Sequence, residues 1–422
     1  MPSRAILSSP PPPPPFSDHH HIPRPSFLLK SRILFLSLTI SATAVIIFTI
    51  LCFLYHLSRS FLHHYHYFRS RRRARTIPFD DSPLAAAKLR RFTYSDLKLA
   101  TNDFHDSSVI GRGGSATVFR AIARDGKLYA VKRLDSAALT LNSEREFQNE
   151  LHILGGLKSP FLVTLLGYCV EKKHRLLVYE YMPNKSLQEW LFGEGNLGME
   201  VLTWERRFSV IADVARALEF LHTGCDPPVI HGDVKPSNVL LDFDLRAKIS
   251  DFGLSRLFSR ELSSTTTSMR GTLCYVAPEY SGGEKSDIYS FGVLILVIVS
   301  GRRPLHVLAS PMKLEKANLV SWCRQLAQSG GLDNVLELVD ERLKGEYDKE
   351  QASLCINLAL LCLQKMPELR PDIGDIVRIL RGEMEVPPLP FEFSPSPPPP
   401  SKLFHKSRRK QRANGDNNTS TE

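Results

Sequence analysis

The sequence predicts an α+β fold of two lobes, a small β-rich one and a larger helical one, preceded by a single transmembrane helix. Three observations lead there. Residues 105–190 hold short β-branched runs separated by turn residues, with one amphipathic helix among them. From about residue 200 onward the apolar spacing is that of helices. Finally "ILFLSLTISATAVIIFTILCFLY", residues 33–55, carries no charge in 23 positions. At about 1.5 Å of rise per residue, such a helix matches a hydrocarbon core of roughly 30 Å.

In chain order, residues 1–32 come first. They include "PPPPPP" at 10–15 and several Ser and His, a composition that cannot bury a core and predicts a short Pro-rich extracellular segment. A signal peptide would have a shorter apolar core and a small-residue cleavage site, so 33–55 reads as a retained transmembrane helix. Beyond it stand Arg59, Arg69, Arg71, Arg72, Arg73 and Arg75, against Arg4, Arg24, Lys30 and Arg32 before it. The basic bias predicts the N-terminus outside and everything after the span in the cytosol. Residues 56–91 read as a basic juxtamembrane linker whose "RSRRRAR" suits anionic lipid headgroups, at about 1 kcal/mol per basic residue near the surface.

Residues 92–104, "FTYSDLKLATNDF", place Thr93 three before Asp96, with Leu97, Leu99 and Ala100 following, and predict a short lead-in helix. The main domain is expected over 105–390. Its strands are "SVIGRG", "ATVFRAIA" and "KLYAVKRL", the last two joined by the turn "ARDG". Phe147, Leu151 and Leu154 in "SEREFQNELHILGGL" stand at helical spacing behind a Glu-rich start. "RRFSVIADVARALEFLHT" and "QASLCINLALLCLQKM" are helical in pattern. Residues 391–422 return to proline and basic charge and read as a disordered tail.

The net charge of +10 does not describe the middle. Residues 1–75 carry ten Lys and Arg against Asp18 alone, and residues 393–422 carry six against two, which leaves −3 for the rest. A nucleic-acid-binding core is therefore not indicated. The seven cysteines, at 52, 169, 225, 274, 323, 355 and 362, form no CxxC pair, so neither a zinc site nor a disulfide framework is expected; they read as reduced, mostly buried thiols.

Transfer of the terminal phosphate of ATP requires backbone donors, a cation and acidic metal ligands more than covalent chemistry. The chain offers these in order. "IGRGGSATV", 110–118, is a glycine-rich turn between strands in which Ile110, Gly111, Gly113 and Gly114 let backbone N–H groups approach phosphates. Lys132 ends an apolar strand, and Glu150 lies on the helix that follows; paired, they would hold the lysine against the α- and β-phosphates. "HGDVKPSN" supplies Asp233 to accept a hydroxyl proton, Lys235 to neutralise the γ-phosphate and Asn238 to ligate Mg2+; Asp251 of "DFG" is the second metal ligand.

With "LLGYC", "LLVYEYMPNKSL", "GTLCYVAPEY", "KSDIYSFGV", "SGRRP", "ANLVSW" and "ELRP" added, residues 92–390 resemble eukaryotic protein kinases, and more narrowly the plant receptor-like serine/threonine kinases. The resemblance implies a bilobal protein-kinase fold, ATP and Mg2+ as cofactors, and protein substrates. It implies Tyr179 as gatekeeper, Glu180 and Met182 as hinge residues offering backbone groups to adenine, and Leu240, Val118 and Ala130 around the ring. Leu154, His231 and Phe252 would form a stacked spine, Glu279 would pair with Arg370, and Asp287 would anchor the catalytic loop. Lys235 and Thr272 match the serine/threonine branch. Plasma-membrane placement, and a co-receptor or another signalling kinase as partner, follow from the same likeness, since 1–32 is too short to form a ligand pocket. The competing reading is a membrane-tethered pseudokinase scaffold.

Five features depart from the family pattern. Ala116 stands for the third loop glycine, Val297 for a Glu, and Met366 for a common Asp, and the interval from Glu279 to Asp287 is about four residues short. Gly232 stands where many relatives carry an Arg whose charge is answered by a phosphorylated activation loop. The Ser and Thr run "SSTTTS" at 263–268 is therefore not expected to control activity through that route.

Overall fold

A computed structural model describes residues 77–78, 89–114, 116–135, 140–193, 201–258, 272, 274–279, 283–305, 318–330 and 332–389. The expected membrane span at 33–55, the Pro-rich segment before it and the tail at 391–422 lie outside the described residues; among those described, no helix is long and apolar enough to cross a membrane.

The first lobe is built on a six-stranded sheet. Its strands are β1 (Arg90–Arg91), β2 (Val109–Arg112), β3 (Ala116–Ile122), β4 (Leu128–Leu134), β5 (Leu165–Glu171) and β6 (His174–Glu180), in the order β1-β5-β6-β4-β3-β2. Only the β1–β5 pairing is parallel. Side chains alternate across a strand, and β6 shows the result. Leu176 and Val178 join Phe119, Val131 and Cys169 under the lead-in segment, while Leu177 and Tyr179 face the main core with Phe147, Leu151 and Leu154.

The lead-in helix α1 (Tyr94–Ala100) starts where expected. Thr93 caps it, accepting from the Asp96 N–H, and Leu97 is buried while Leu99 is exposed. Helix α2 (Leu141–Gly156) begins two residues before the expected "SEREF" start. Thr140 and Ser143 cap each other reciprocally, and this outweighs an apolar pattern spoiled by Leu141, which is 81% exposed.

The second lobe is helical: α3 (Leu187–Phe192), α4 (Trp204–Thr223), α5 (Glu284–Ser300), α6 (Leu319–Gly330), α7 (Lys349–Cys362) and α8 (Ile373–Leu380). Every residue of α5 from Ser290 to Ser300 is buried. Gly292 lets α5 close on α7, since a β-carbon there would lie 2.7 Å from that of Cys362. Between the lobes run short strands β7 (Val229–Ile230), β8 (Val239–Leu241), β9 (Ala247–Ile249) and β10 (Arg256–Leu257), with β8 antiparallel to β9 and β10 to β7. Of the six cysteines described, five are buried and Cys274 is half-buried; all are free thiols.

Candidate active site

The register of the sheet assembles one wall. Val118 lies opposite Lys132, and Ala130 and Lys132 lie opposite Tyr179 and Leu177, so Val118, Ala130, Lys132 and Tyr179 share a face. Packing of Phe147, Leu151 and Leu154 turns Glu150 of α2 toward that face and leaves it 2% exposed. Lys132 Nζ is 2.8 Å from Glu150 Oε2 and 2.9 Å from Asp251 Oδ1. Burial alone would pull the lysine pKa down, but the two carboxylates outweigh it and hold the ammonium above its ordinary range. Burial likewise works against ionised Asp251, yet Lys132 beside it keeps that carboxyl below the usual range. Tyr179 donates its hydroxyl to Glu150 Oε1 at 2.5 Å. That bond was not legible in the sequence.

The loop after β7 is hung on one buried carboxylate. Asp287, near the start of α5, accepts from His231 N at 2.7 Å and Gly232 N at 2.8 Å, and contacts His222 Nε2 at 2.9 Å. Burial opposes its charge, and these partners hold its pKa below normal. Gly232 has φ +79°, where a side chain is strained, and a β-carbon there would stand 3.2 Å from the Leu254 carbonyl oxygen. His231 meets Phe252 edge-on at 4.9 Å, and Leu154 is buried with them in the core.

From this loop, Asp233 Oδ2 accepts from Lys235 Nζ at 2.6 Å and from Asn238 Nδ2 at 3.1 Å, while Oδ1 accepts from Thr272 Oγ1 at 3.0 Å. Lys235 also donates to Thr272 Oγ1 at 2.8 Å. The Asn238 amide nitrogen is spent on Asp233, its second bond reaching the Asp233 carbonyl at 2.9 Å, and its oxygen, which accepts only a long 3.4 Å bond from Ser237 Oγ, is the end that could meet a cation. Ser250 N donates to Asn238 O at 2.8 Å and binds this loop to the segment carrying Asp251.

The residues expected to take the nucleotide lie on β2, β3 and the segment after β6. Gly111 lies opposite Val118, and Gly113 N donates to Ala116 O at 2.8 Å, while Ile110 is exposed and Gly114 has open space around its α-carbon. Ala116 is buried opposite Leu134 within the sheet. Met182 is buried, and Leu240 is half-buried on β8. The Glu180 carboxylate is taken by Lys248 Nζ at 2.8 and 2.9 Å and by Thr164 N at 2.7 Å. Lys248 thus ties the hinge to the second lobe, a link hidden in the sequence because it depends on the Leu240–Lys248 register. Glu279 and Arg370 form a two-pronged pair at 2.6 Å on each arm, so the short interval after Glu279 does not prevent it.

Asp251 and Asn238 offer a carboxylate and an amide oxygen, the hard donors a Mg2+ ion takes when phosphates complete its shell. With the ammonium groups of Lys132 on Asp251 and of Lys235 on Asp233, the set fits ATP and a divalent cation.

Residues 104–379 match the protein kinase domain family. A receptor-like protein kinase of Arabidopsis thaliana is 39% identical over 91% of this chain and 98% of its own length. An LRR receptor-like serine/threonine-protein kinase from the same plant is 42% identical over 70% of this chain, and a proline-rich receptor-like protein kinase is 39% identical over 69%. The chain spans only 28% and 40% of those two relatives. By the family match and by these likenesses, the chain belongs to the protein kinase family, and within it to the plant receptor-like serine/threonine kinases.

Proposed function

We propose that this chain is a membrane-anchored kinase that transfers the γ-phosphate of ATP, with Mg2+, to Ser or Thr hydroxyls of proteins in cell-surface signalling. The observation that carries this reading is a pair of bonded sets, Lys132 with Glu150 and Asp251, and Asp233 with Asn238, at 2.8 to 3.1 Å, whose segments are joined by the Ser250 N–H donating to Asn238 O at 2.8 Å. Asp233 takes the proton of the substrate hydroxyl as that oxygen bonds to the γ-phosphorus. The bond from the γ-phosphorus to the bridging oxygen breaks, and ADP leaves with its electron pair. Lys235 offsets charge on the transferring group, and Lys132, fixed by Glu150, holds the α- and β-phosphates. Asp251 and Asn238 would hold the cation, which when bound would supply screening of phosphate charge. Thr272, bonded to both Asp233 and Lys235, keeps the base and the lysine in register.

Anchoring rests on the uncharged 33–55 run, and the orientation with the N-terminus outside on the basic cluster after it. A co-receptor or second signalling kinase is the partner that the likeness to receptor-like kinases suggests.

The test uses the full chain purified in detergent, γ-labelled ATP and Mg2+, with transfer read onto the chain itself and onto a generic basic protein. Label that vanishes in Asp251→Asn supports the reading. Absence of label with nucleotide still bound would overturn it in favour of a tethered scaffold.

A further inference from the structure

Helix α2 presents two consecutive side chains to two different parts of the site. Glu150 faces Lys132, while Asn149, about 100° round the helix, faces the segment that follows Asp251. The Asn149 amide nitrogen lies 3.0 Å from Phe252 O, 3.1 Å from Gly253 O and 2.5 Å from Ser255 O. Phe252 and Ser255 are buried. Asp251 itself has φ +65°, a conformation that non-glycine residues hold only under outside restraint.

Lys132 needs Glu150 at 2.8 Å and Asp251 at 2.9 Å at the same time. Those two carboxylates ride on separate pieces of chain, a helix and a turn, and Asn149 is a side chain of the first that donates into the backbone of the second. The three bonds from Asn149 are a restraint on this turn built into the chain itself.

We infer that Asn149 is a positioning residue that latches α2 to the metal-binding turn, so that Glu150 and Asp251 are set on Lys132 as one unit. The inference rests on the reading above that these groups serve nucleotide and cation. It turns on the donor: a carboxylate of the same shape at 149 would face three carbonyl oxygens with nothing to give them.

The test compares Asn149→Ala, Asn149→Asp and Asn149→Gln in the full chain in detergent. Two readouts are taken: amide hydrogen exchange across 251–256 without nucleotide, and Mg2+ half-saturation of a fluorescent ATP analogue. Outer-shell partners of a metal site are typically worth about tenfold or more in affinity. The Ala and Asp variants are therefore expected to need about tenfold more Mg2+ and to exchange faster across 251–256, with exchange in α5 and α7 unchanged. The Gln variant, which keeps a donor one methylene further out, is expected between them and the wild type. The isosteric Asp variant matching wild type in both readouts would mean that Asn149 only fills space and would overturn the latch. So would an Ala variant that leaves both unchanged. A wild-type chain that transfers no phosphate but shows the expected order among variants would sink the enzymatic reading and leave the latch standing.

Discussion

Tyr179 and Glu150 share a 2.5 Å hydrogen bond that ties the strand entering the hinge to helix α2. Burial first, and the neighbouring Glu150 charge second, push the phenol pKa well above its ordinary value, so the hydroxyl stays a donor throughout the neutral range. Tyr179→Phe leaves Glu150 Oε1 buried without that donor. We expect a stability loss of about 1–3 kcal/mol in urea unfolding, and a higher KM for ATP as Glu150 loosens on Lys132. Unchanged stability and KM would show that Oε1 finds another partner.

On the resemblance, Gly232 stands where an Arg would be answered by an activation-loop phosphate, so control by that route is not expected here. Replacing Ser263, Ser264, Thr265, Thr266, Thr267 and Ser268 together by Ala is expected to leave phosphoryl transfer within about tenfold of wild type, a difference near 1.4 kcal/mol in barrier. A larger loss would mean that the run controls the site by another route. Gly232→Ala is expected to lower stability by about 1–2 kcal/mol, because φ is +79° and the new methyl would press on the Leu254 carbonyl.

Asp287 ties acid stability to the catalytic loop. Its folded pKa lies below the ordinary 3.8, held there against burial by His222 and the loop N–H groups. A depressed carboxyl contributes stability that is present above the unfolded value and lost as pH falls through the folded one. Asp287→Asn is therefore expected to be less stable than wild type near neutral pH by about 1.5–3 kcal/mol, with the gap narrowing below pH 3.8. Urea unfolding at several pH values reads this directly, and a gap that stays constant into acid would refute it.

Much of the site was legible because phosphate chemistry demands particular residue types in a particular order. The expected ion pair of Lys132 with Glu150 is present at 2.8 Å, and Lys132 also meets Asp251 at 2.9 Å, while Asp233 and Asn238 are bonded to each other at 3.1 Å. Hidden were contacts that depend on which way a side chain faces once the lobes pack. Taken alone, Glu150 reads as a solvated helix residue, yet it is among the most buried acids. Asn149 reads as a polar residue facing water, and its bonds depend on the path of the chain at 252–255. The start of α2 was displaced because a reciprocal Thr140–Ser143 cap acts locally and leaves no apolar period to read.

The Glu279–Arg370 pair gives a last prediction, because it joins the segment before α5 to the segment before α8. The Arg370 side chain is fully buried, with both arms on Glu279 and further bonds from Nε to Gln364 O and from Nη1 to Lys285 O. A buried guanidinium of this kind is held by geometry as much as by charge, since its planar fork serves five acceptors at once, the fifth being Lys365 O at 3.3 Å from Nη2. Arg370→Ala strands the Glu279 carboxylate and empties the space, and breaking such a pair typically costs about 3–5 kcal/mol. Arg370→Lys keeps the charge and loses the fork, so it should recover only part of that stability. The Lys variant matching wild type in thermal and urea unfolding would mean that charge alone suffices. The expected order, wild type above Lys above Ala, would mark the pair as an internal strut whose value lies in bidentate bonding.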